Sequence, residues 1–431
     1  MGATKEKFSG YKVAVGCMLV VLAHLGCCYL WGVMLPHFLK AFQCSTAVLA
    51  GSSSVGTIIA FLAAMSSGSV LKKFSPRTVL FFGTCVCAAF MLINAFATAP
   101  WMIYVSNGIS GFIIAYGGHL TCTTIINRWF IKKRSTIIGI VVSGAVFGGS
   151  LYMFLAGQLI ERVGQMNTYL ILGGLSVCIA LICEIALIRS TPEELGQKPL
   201  GWNEVRDESV EGVPANNDVE LGLTAAEARR SKEFVMLLIA VFMSAMLMAT
   251  FTTYATTFWM SEGLSQSTAA TMASIITLLG GCASIMVGAI ADRFGLKAYL
   301  TTIFASFLIG VVLTIIWGST SVGMIALVFS IIFISMGNSI QAIYANITLP
   351  VFGKRAAPSI NGNLMGVFQA GVATLSLLFG ALYDAWGSFI PIFCIQIGIV
   401  IVVYSLMSIV LRMSENKKQV INDKKMECTT I

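Results

Sequence analysis

The stretch NRWFIKKRSTIIGIVVSGAVFGGSLYMFLAGQLIERVG, from Asn127 to Gly164, organises the whole chain. It opens on a cluster of positive charge formed by Arg128, Lys132, Lys133 and Arg134. A long apolar segment rich in glycine follows, and small residues let membrane helices approach one another closely. The stretch therefore predicts a long apolar membrane helix that begins at a basic cluster and closes on Glu161, Arg162 and Gly164.

The same plan returns as VFGKRAAPSINGNLMGVFQAGVATLSLLFGALYDAWG, from Val351 to Gly387. A shift of 223 residues (371 less 148) produces these matches: Gly139 with Gly362, Gly148 with Gly371, Gly157 with Gly380, Glu161 with Asp384 and Gly164 with Gly387. A shift of 220 residues (288 less 68) matches Gly68, Lys73, Phe74 and Arg77 with Gly288, Arg293, Phe294 and Lys297. Two echoes with nearly equal shifts, each about half the chain, predict two homologous halves.

Composition indicates a membrane protein. Hydrophobic residues make up 57% of the 431 residues and charged residues only 11%, too little charge to cover a soluble domain of this length. A helix needs roughly 20 apolar residues to cross about 30 Å of hydrocarbon. Twelve runs meet this requirement: about 12–38, 45–71, 78–98, 101–127, 135–160, 168–189, 234–260, 267–290, 298–318, 323–349, 358–383 and 388–411.

The positions of the basic residues indicate how these runs are oriented. If the N-terminus is cytoplasmic, all of the 27 lysines and arginines except Lys40 and Arg162 lie in tails and loops on that side. Basic loops favour the cytoplasmic face, so we expect a multi-pass protein of the cell membrane with both termini in the cytoplasm. The net charge of +8 is then a topology signal, and no nucleic-acid partner is expected.

One long polar loop, residues 190–233, separates six runs from six. We therefore predict an N-terminal half (residues 1–189), a C-terminal half (234–411) and a polar cytoplasmic tail (412–431) expected to be disordered. Thr224 and Glu227 have capping-box spacing, which predicts a short helix before the seventh run. The twelve cysteines show neither metal-ligand spacing nor a disulfide framework, so neither a metal nor a cofactor is expected.

The segment GAIADRFGLK, from Gly288 to Lys297, lies at the predicted cytoplasmic turn between the eighth and ninth runs. It resembles the signature loop of the major facilitator superfamily of transporters, with which twelve helices, a central loop and duplicated halves agree. The resemblance implies cytoplasmic latch loops that contain Gly288, Asp292, Arg293, Lys297, Arg128 and Arg134. In the first-half counterpart, GSVLKKFSPR, Lys72 replaces the expected acid, so any latch relies more on the second half.

Within that superfamily the chain is similar to the oxalate/formate antiporter and monocarboxylate transporter group. Three segments carry this resemblance: Asn127–Ile140, the PEELG run from Pro192 to Trp202, and the approach to the seventh run from Thr224 to Phe234. The group moves small carboxylates by alternating access, often coupled to protons or to a counter-transported anion. The resemblance thus implies secondary active transport of a small organic acid.

Several features of the group are missing. Oxalate carriers place an arginine in helix eight and a lysine in helix eleven, but residues 267–290 and 358–383 contain neither type. The helix-one lysine and the helix-eight acid–arginine pair of animal-type monocarboxylate carriers are also absent. A buried cation offsets the cost of desolvating a carboxylate, so these departures argue against oxalate. Drug–proton antiporters carry a Gly-Pro pair in helix five, where this chain has Gly144 followed by Ala145. The missing proline gives drug export less support.

The resemblance further implies that helices one, four, seven and ten surround a central cavity. Polar residues there are the candidates for contact with substrate or protons: His24, Tyr116, His119, Thr253, Tyr254, Asn338, Gln341 and Tyr344. His24 and His119 stand out because histidine titrates near neutral pH. For each candidate the alternative is a hydrogen bond to its own backbone or to a neighbouring helix. Glu184, near the inner end of helix six, is expected to make an interhelical or an interfacial contact.

The sequence therefore predicts an all-α membrane carrier of two six-helix halves. Its expected partners are a small-molecule substrate and the lipid bilayer, with protons or a counter-anion in addition. We expect a monomer that is not an enzyme. An exporter of amphipathic or neutral compounds is the alternative within the transporter class. A multispanning sensor or enzyme is disfavoured, because the sequence shows no intramembrane metal cluster, no nucleophile–base pair and no sizeable soluble domain.

Overall fold

The computed structural model describes residues 8–131, 134–200, 225–319, 324–337 and 340–429, which are almost entirely helical. The α-helices are α1 Gly10–Cys28, α2 Leu30–Phe42, α3 Thr46–Lys73, α4 Pro76–Ala95, α5 Pro100–Tyr116, α6 His119–Trp129, α7 Arg134–Ile182, α8 Ala225–Arg230, α9 Lys232–Ala249, α10 Ala255–Ser261, α11 Gln266–Ser319, α12 Met324–Gly337, α13 Gln341–Trp386 and α14 Ile390–Thr429. Cys183–Leu187 and Thr250–Tyr254 are π-helical turns, and Pro192–Leu195 is a 3₁₀ turn.

Local sequence explains where several of these helices begin. The side chains of Ser45, Ser75 and Ser231 each accept a hydrogen bond from a backbone N–H in the first turn that follows. Such caps satisfy backbone donors that have no partner within the helix. After Ser75, Pro76 occupies the first helical position, where its missing N–H costs nothing. The short helix predicted after Thr224 is confirmed as α8, although Thr224 itself lies outside the described residues.

Nine helical segments in the described ranges are long and apolar enough to cross a membrane. They are Gly10–Phe42, Thr46–Ala64, Pro76–Ala95, Pro100–Trp129, Ile137–Leu187, Gln266–Ser284, Arg293–Trp317, Gly366–Trp386 and Ile390–Glu415. Ile137–Leu187 joins the fifth and sixth expected runs. The seventh run is divided by the π-helical turn at Thr250, and in the tenth run residues 338 and 339 lie outside the described ranges.

The chain forms two compact units. The first contains Met1–Asn216 and Thr253–Leu278, and the second contains Asn217–Thr252 and Leu279–Ile431. The division thus falls inside the seventh expected run and again inside the eighth. The halves separated by the loop at residues 190–233 stay a prediction.

Two glycines that the 223-residue repeat matches both have a positive φ, although their ψ angles differ (175° at Gly164 and 10° at Gly387). Gly164, inside α7, has φ 77°, and Gly387, at the C-terminal cap of α13, has φ 64°. Side chains strongly disfavour this left-handed region, and glycine enters it freely. The sequence repeat therefore recurs as a glycine with positive φ in each unit.

The same repeat also recurs in the packing of the helices. In the first unit, a Cβ atom on Gly148 would clash with the carbonyl oxygen of Leu22 in α1. In the second unit, a Cβ atom on Gly371 would lie 2.7 Å from the Cβ atom of Ala245 in α9. Ala245 is the position of Leu22 shifted by the same 223 residues. Each unit thus brings one helix pair into close contact at a matched glycine.

Two segments that carry the family resemblance contact each other in the first unit. Phe130 and Leu200 form a parallel bridge, in which the N–H of Ile131 donates to the Leu200 carbonyl at 2.9 Å. The Leu200 N–H in turn donates to the carbonyl of Trp129 at 3.0 Å. The indole N–H of Trp129 donates to the carbonyl of Arg189, also at 3.0 Å. The PEELG run therefore folds back along the end of α6.

Candidate functional site

The helices that the sequence predicts to line a cavity are interrupted. α1 ends at Cys28 and α2 begins at Leu30, while the seventh run contains the π-helical turn Thr250–Tyr254. In the fourth run α5 ends at Tyr116 and α6 begins at His119. In a membrane, an interruption is tolerated where protein or a water-filled cavity surrounds it, because the freed backbone groups need partners. Interrupted helices also frame the substrate sites of many transporters.

The interruption of the fourth run occurs at Gly117 and Gly118. Gly118 has φ −132° and ψ −122°, a conformation that breaks the helical ladder. The backbone carbonyls around it find side-chain partners. The Thr121 hydroxyl donates to the Tyr116 carbonyl at 2.7 Å, and Nδ1 of His24 lies 2.7 Å from the carbonyl oxygen of Gly117. His24 thus holds the backbone of the interruption in place.

His24 begins a chain of side-chain contacts that runs through the first unit. Its Nε2 atom lies 3.0 Å from the hydroxyl oxygen of Thr84 in α4. That oxygen lies 2.7 Å from Oε1 of Glu184, in the π-helical turn after α7. All three side chains are enclosed, with exposed fractions of 0% for His24, 2% for Thr84 and 1% for Glu184. We call these three residues the relay.

The relay combines expected and unexpected residues. His24 was a candidate for contact with substrate or protons, and the structure places it against two neighbouring helices inside the first unit. The interhelical contact predicted for Glu184 is confirmed by its bond to Thr84. Thr84 was missed, because nothing in the sequence distinguishes it from other threonines in membrane helices.

Arg77, at the start of α4, contacts the backbone at the Glu184 end of the relay. Its Nε–H donates to the backbone carbonyl of Glu184 at 3.0 Å, and one of its terminal N–H groups donates to the carbonyl of Ile185 at 3.3 Å. The guanidinium therefore holds the backbone of the π-helical turn. The second carboxylate oxygen of Glu184, Oε2, has no hydrogen-bond partner within the described residues.

Tyr116 faces a different part of the first unit. Its hydroxyl lies 2.6 Å from the hydroxyl of Ser66 in α3. Its ring borders a cavity of about 330 Å³ whose lining is apolar. The other lining residues are Val70, Phe74, Thr78, Val79, Phe82 and Phe112. Tyr116 and His24 are therefore not brought together, although Gly117 follows Tyr116 directly.

The seventh run contributes buried polar residues around its π-helical turn. Thr253 is 8% exposed and Tyr254 is 1% exposed. Thr250, which belongs to the second unit, accepts a hydrogen bond from the Gln396 side chain of α14. Phe251 stacks on Phe393 one turn away, with ring centroids 5.6 Å apart. This end of α9 is therefore anchored to α14.

The remaining cavity candidates are placed only in part. Asn338 lies outside the described residues. Gln341 and Tyr344 belong to the first turns of α13, and His119 is the first residue of α6. The structure describes the backbone of these three residues but not their side chains. Their contact with substrate or protons stays a prediction.

The second-half latch segment contacts the C-terminal helix. Nζ of Lys297 lies 2.6 Å from Oε2 of Glu415, and both side chains are more than half exposed. The Arg293 guanidinium lies 5.4 Å from the centre of the Phe294 ring. Gly288 and Asp292 precede them in α11. In the first half, Arg128 is exposed at the end of α6 and Arg134 begins α7. The side chains of Asp292 and Arg134 are not among those that the structure describes.

The tail expected to be disordered is helical instead. α14 continues from the membrane segment through Glu415 to Thr429. No glycine or proline interrupts residues 412–431, so the helix already started in the membrane extends with little to stop it. The Lys297–Glu415 pair lies at its base.

The described residues contain no group of three or more His, Cys, Asp or Glu side chains that could hold a metal ion. The family profile of the Major Facilitator Superfamily matches residues 16–369, and again residues 237–426. This chain belongs to the Major Facilitator Superfamily. Its apolar helices and its family make it a multi-pass membrane protein of a transporter superfamily. The predicted resemblance is confirmed, and it includes a relationship to monocarboxylate transporters.

Two relatives illustrate that relationship. The chain is 26% identical over 310 residues to the uncharacterized transporter ESBP6 of Saccharomyces cerevisiae, covering 69% of this chain and 43% of the yeast protein. It is 23% identical over 304 residues to monocarboxylate transporter 12 of Mus musculus, covering 67% of this chain and 62% of the mouse protein. The aligned region thus spans less than two thirds of either relative.

Solved structures agree on the fold. The nucleoside transporter NupG superposes with a TM-score of 0.72 and 15% identity, covering 93% of this chain and 99% of that protein. At such low identity the similarity shows the all-helical fold of the superfamily alone.

Proposed function

We propose that this transporter carries a small organic acid of the monocarboxylate type across the cell membrane by alternating access. The observation that carries the proposal is the relationship to monocarboxylate transporter 12 over 67% of this chain. The predicted architecture, twelve helices in halves 1–189 and 234–411, provides two bodies that can rock about a central site. A monomer suffices for this mechanism.

Charge favours a proton as the coupling ion. Residues 267–290 and 358–383 contain no lysine or arginine, so those helices offer no fixed cation to a bound carboxylate. An unpaired carboxylate is costly to bury. A proton that travels with the acid removes this cost, whereas exchange of two anions does not. Proton-coupled symport therefore fits this chain better than anion exchange.

The test is uptake by purified protein in liposomes. We expect an inside-alkaline pH gradient to drive saturable uptake of at least one labelled monocarboxylate. Protein-free liposomes under the same gradient correct for diffusion of the undissociated acid. If no acid is taken up above this background, with the gradient or in exchange mode, the proposal is wrong for the substrate while the fold is unaffected.

The weak charge of the cavity helices also fits the export of amphipathic or neutral compounds. Apart from the two histidines, the cavity candidates are uncharged: Tyr116, Thr253, Tyr254, Asn338, Gln341 and Tyr344. The same liposomes loaded with a neutral amphipathic dye distinguish the two functions. Protein-dependent dye efflux without uptake of any acid favours the exporter.

The basic loops further support cytoplasmic locations for both termini. We expect an epitope tag placed after Ile431 to be inaccessible to antibody in intact cells and accessible after permeabilisation. A tag inserted beside Lys40, one of the two cations outside the predicted cytoplasmic loops, serves as the control and should be accessible in intact cells. Accessibility of the C-terminal tag without permeabilisation contradicts the topology.

A further inference from the structure

The backbone carbonyl of Gly117 and the three side chains of the relay are joined in series by hydrogen bonds. The groups at the two ends of this series can only accept hydrogen bonds. At one end is the backbone carbonyl of Gly117, 2.7 Å from Nδ1 of His24. At the other is the carboxylate of Glu184, 2.7 Å from the Thr84 hydroxyl. The middle link joins Nε2 of His24 to that hydroxyl at 3.0 Å. A carbonyl and an ionised carboxylate both lack a hydrogen to donate.

Counting hydrogens shows that the relay needs one additional proton. Three hydrogen bonds need three hydrogens between the atoms they join. A neutral imidazole brings one and the Thr84 hydroxyl brings one. The third is a titratable proton that resides on either His24 or Glu184, and the hydroxyl between them can pass it from one to the other. Without that proton, Thr84 can donate to His24 or to Glu184 but not to both.

The surroundings make this third proton consequential. His24, Thr84 and Glu184 are each at most 2% exposed, so a missing hydrogen bond is not replaced by bulk water, and a buried polar group without a partner is costly. Oε2 of Glu184 also has no hydrogen-bond partner within the described residues. The third proton completes the relay only on His24 or on Oε1 of Glu184, the oxygen 2.7 Å from the Thr84 hydroxyl.

One permanent positive charge, that of Arg77, acts on Glu184. The elements packed around the relay carry these described charged or titratable side chains: Tyr11, Lys12, Cys17, Cys27 and Cys28 in α1, Arg77, Cys85 and Cys87 in α4, Tyr104 and Tyr116 in α5, Cys122 and Arg128 in α6, Tyr152, Glu161, Arg162, Tyr169 and Cys178 in α7, and Cys183 beside Glu184. Of these, Arg77, Cys122 and Cys183 interact electrostatically with Glu184. The Arg77 guanidinium is engaged by the carbonyls of Glu184 and Ile185.

We propose that His24, Thr84 and Glu184 form a proton-binding site that stores one shared proton inside the first unit. With the proton bound, the relay is continuous from the π-helical turn after α7 to the interruption between α5 and α6. Without it, one link is broken. The bound proton therefore decides whether an unbroken series of hydrogen bonds links the backbone at Gly117, in the fourth run, to Glu184, at the end of the sixth run.

A role of this site in driving transport rests on the proposed function, but the binding of the proton does not. The first measurement is therefore made without substrate, on the purified full-length protein in lipid nanodiscs. The chain has three histidines, so ¹⁵N-histidine labelling gives three imidazole signals. Single His37→Gln and His119→Gln substitutions identify the His24 signal. Infrared difference spectra against Glu184→Gln isolate the Glu184 carboxyl band.

We expect the His24 signal and the Glu184 band to change together at one pH midpoint, because coupled groups titrate as a pair. In Glu184→Gln, the new amide donates to Thr84, Thr84 donates to His24, and His24 donates to Gly117. All three links are then satisfied without a titratable proton, so this variant should fold and its His24 signal should not change with pH. Glu193→Gln, on the exposed 3₁₀ turn, is the matched control and should titrate as the wild type does.

Thr84 provides an independent test of the sharing. Thr84→Ser keeps the hydroxyl and should preserve the common midpoint. Thr84→Val removes it and should separate the two midpoints. The proposal is overturned if His24 titrates in Glu184→Gln as it does in the wild type, or if the two wild-type signals change independently of each other.

A transport arm separates this site from the proposed function. If monocarboxylate uptake is established, Glu184→Gln should retain exchange of the acid across liposome membranes and lose the stimulation by an inside-alkaline gradient. Gradient-stimulated uptake that is unchanged in this variant would show that the site is not the coupling site. If no acid is transported by the wild type, the titrations still decide whether the relay binds a shared proton.

Discussion

Gly148→Leu is expected to leave almost no folded protein, because there is no room for a side chain between α7 and α1. A Cβ atom on Gly148 would clash with the carbonyl oxygen of Leu22, and the other nearest atoms, the carbonyl carbon and Cα of Leu22, lie 2.9 Å away. All three atoms belong to the backbone, so relief requires α1 itself to move. Overpacking of a well-packed core costs about 1–3 kcal/mol and sometimes more. We expect Gly148→Leu to lower the free energy of unfolding by an amount at or beyond the upper end of this range.

The neighbouring residues offer little scope for such a movement. A Cβ atom on Gly144, one turn earlier in α7, would lie 2.5 Å from the carbonyl oxygen of Met18. A Cβ atom on Gly26, one turn later in α1, would lie 2.9 Å from the ring of Tyr152. The two helices thus meet along several turns, and a shift at Gly148 disturbs the adjoining contacts.

The measurement for Gly148→Leu is the yield of monodisperse protein in detergent, followed by thermal unfolding. Gly139→Leu is the matched control, since Gly139 lies in the same helix and a Cβ atom added there would meet nothing within 4 Å beyond its own helix backbone. It should remain close to the wild type. Equal yield and equal stability of the two variants would contradict the close contact between α1 and α7.

His24→Leu is expected to destabilise the first unit and to reduce transport. Leucine fills much of the space of the imidazole but leaves the Gly117 carbonyl at the interruption without its donor. An unsatisfied buried polar group costs about 1–3 kcal/mol. The link to Thr84 is lost as well, so the relay no longer reaches the fourth run. If the barrier to transport rises by the same amount, the transport rate falls by roughly 5- to 150-fold.

The measurements for His24→Leu are the thermal unfolding temperature and the initial rate of monocarboxylate uptake at equal amounts of reconstituted protein. His37→Leu is the matched control, because His37 is only half-buried near the outer end of the same predicted span. It should change both quantities much less. A His24→Leu variant with wild-type stability and wild-type uptake would mean that neither ring contact of His24 matters.

Features written in short stretches of sequence could be predicted. The composition and the apolar runs identified a membrane carrier, since the cost of exposing charge to lipid restricts what such runs can contain. Gly164 and Gly387 were matched by their spacing, and both have a positive φ. The helix after Thr224 followed from capping. The helical C-terminal tail was not expected, because a polar composition does not show that a preceding membrane helix will continue into it.

The sequence by itself determined the family, the repeat and the matched glycines, because each depends on local composition or on spacing along the chain. Only the tertiary structure decided what those residues meet. Gly148 finds Leu22, and His24 finds Thr84 and Gly117, which are 60 and 93 residues away in the chain. Thr84 carries no signal of its own, since a hydroxyl in a membrane helix can bond to its own backbone equally well. The shared proton is a property of three helices and a turn held together, and it exists only where folding has removed the water that would otherwise complete each hydrogen bond.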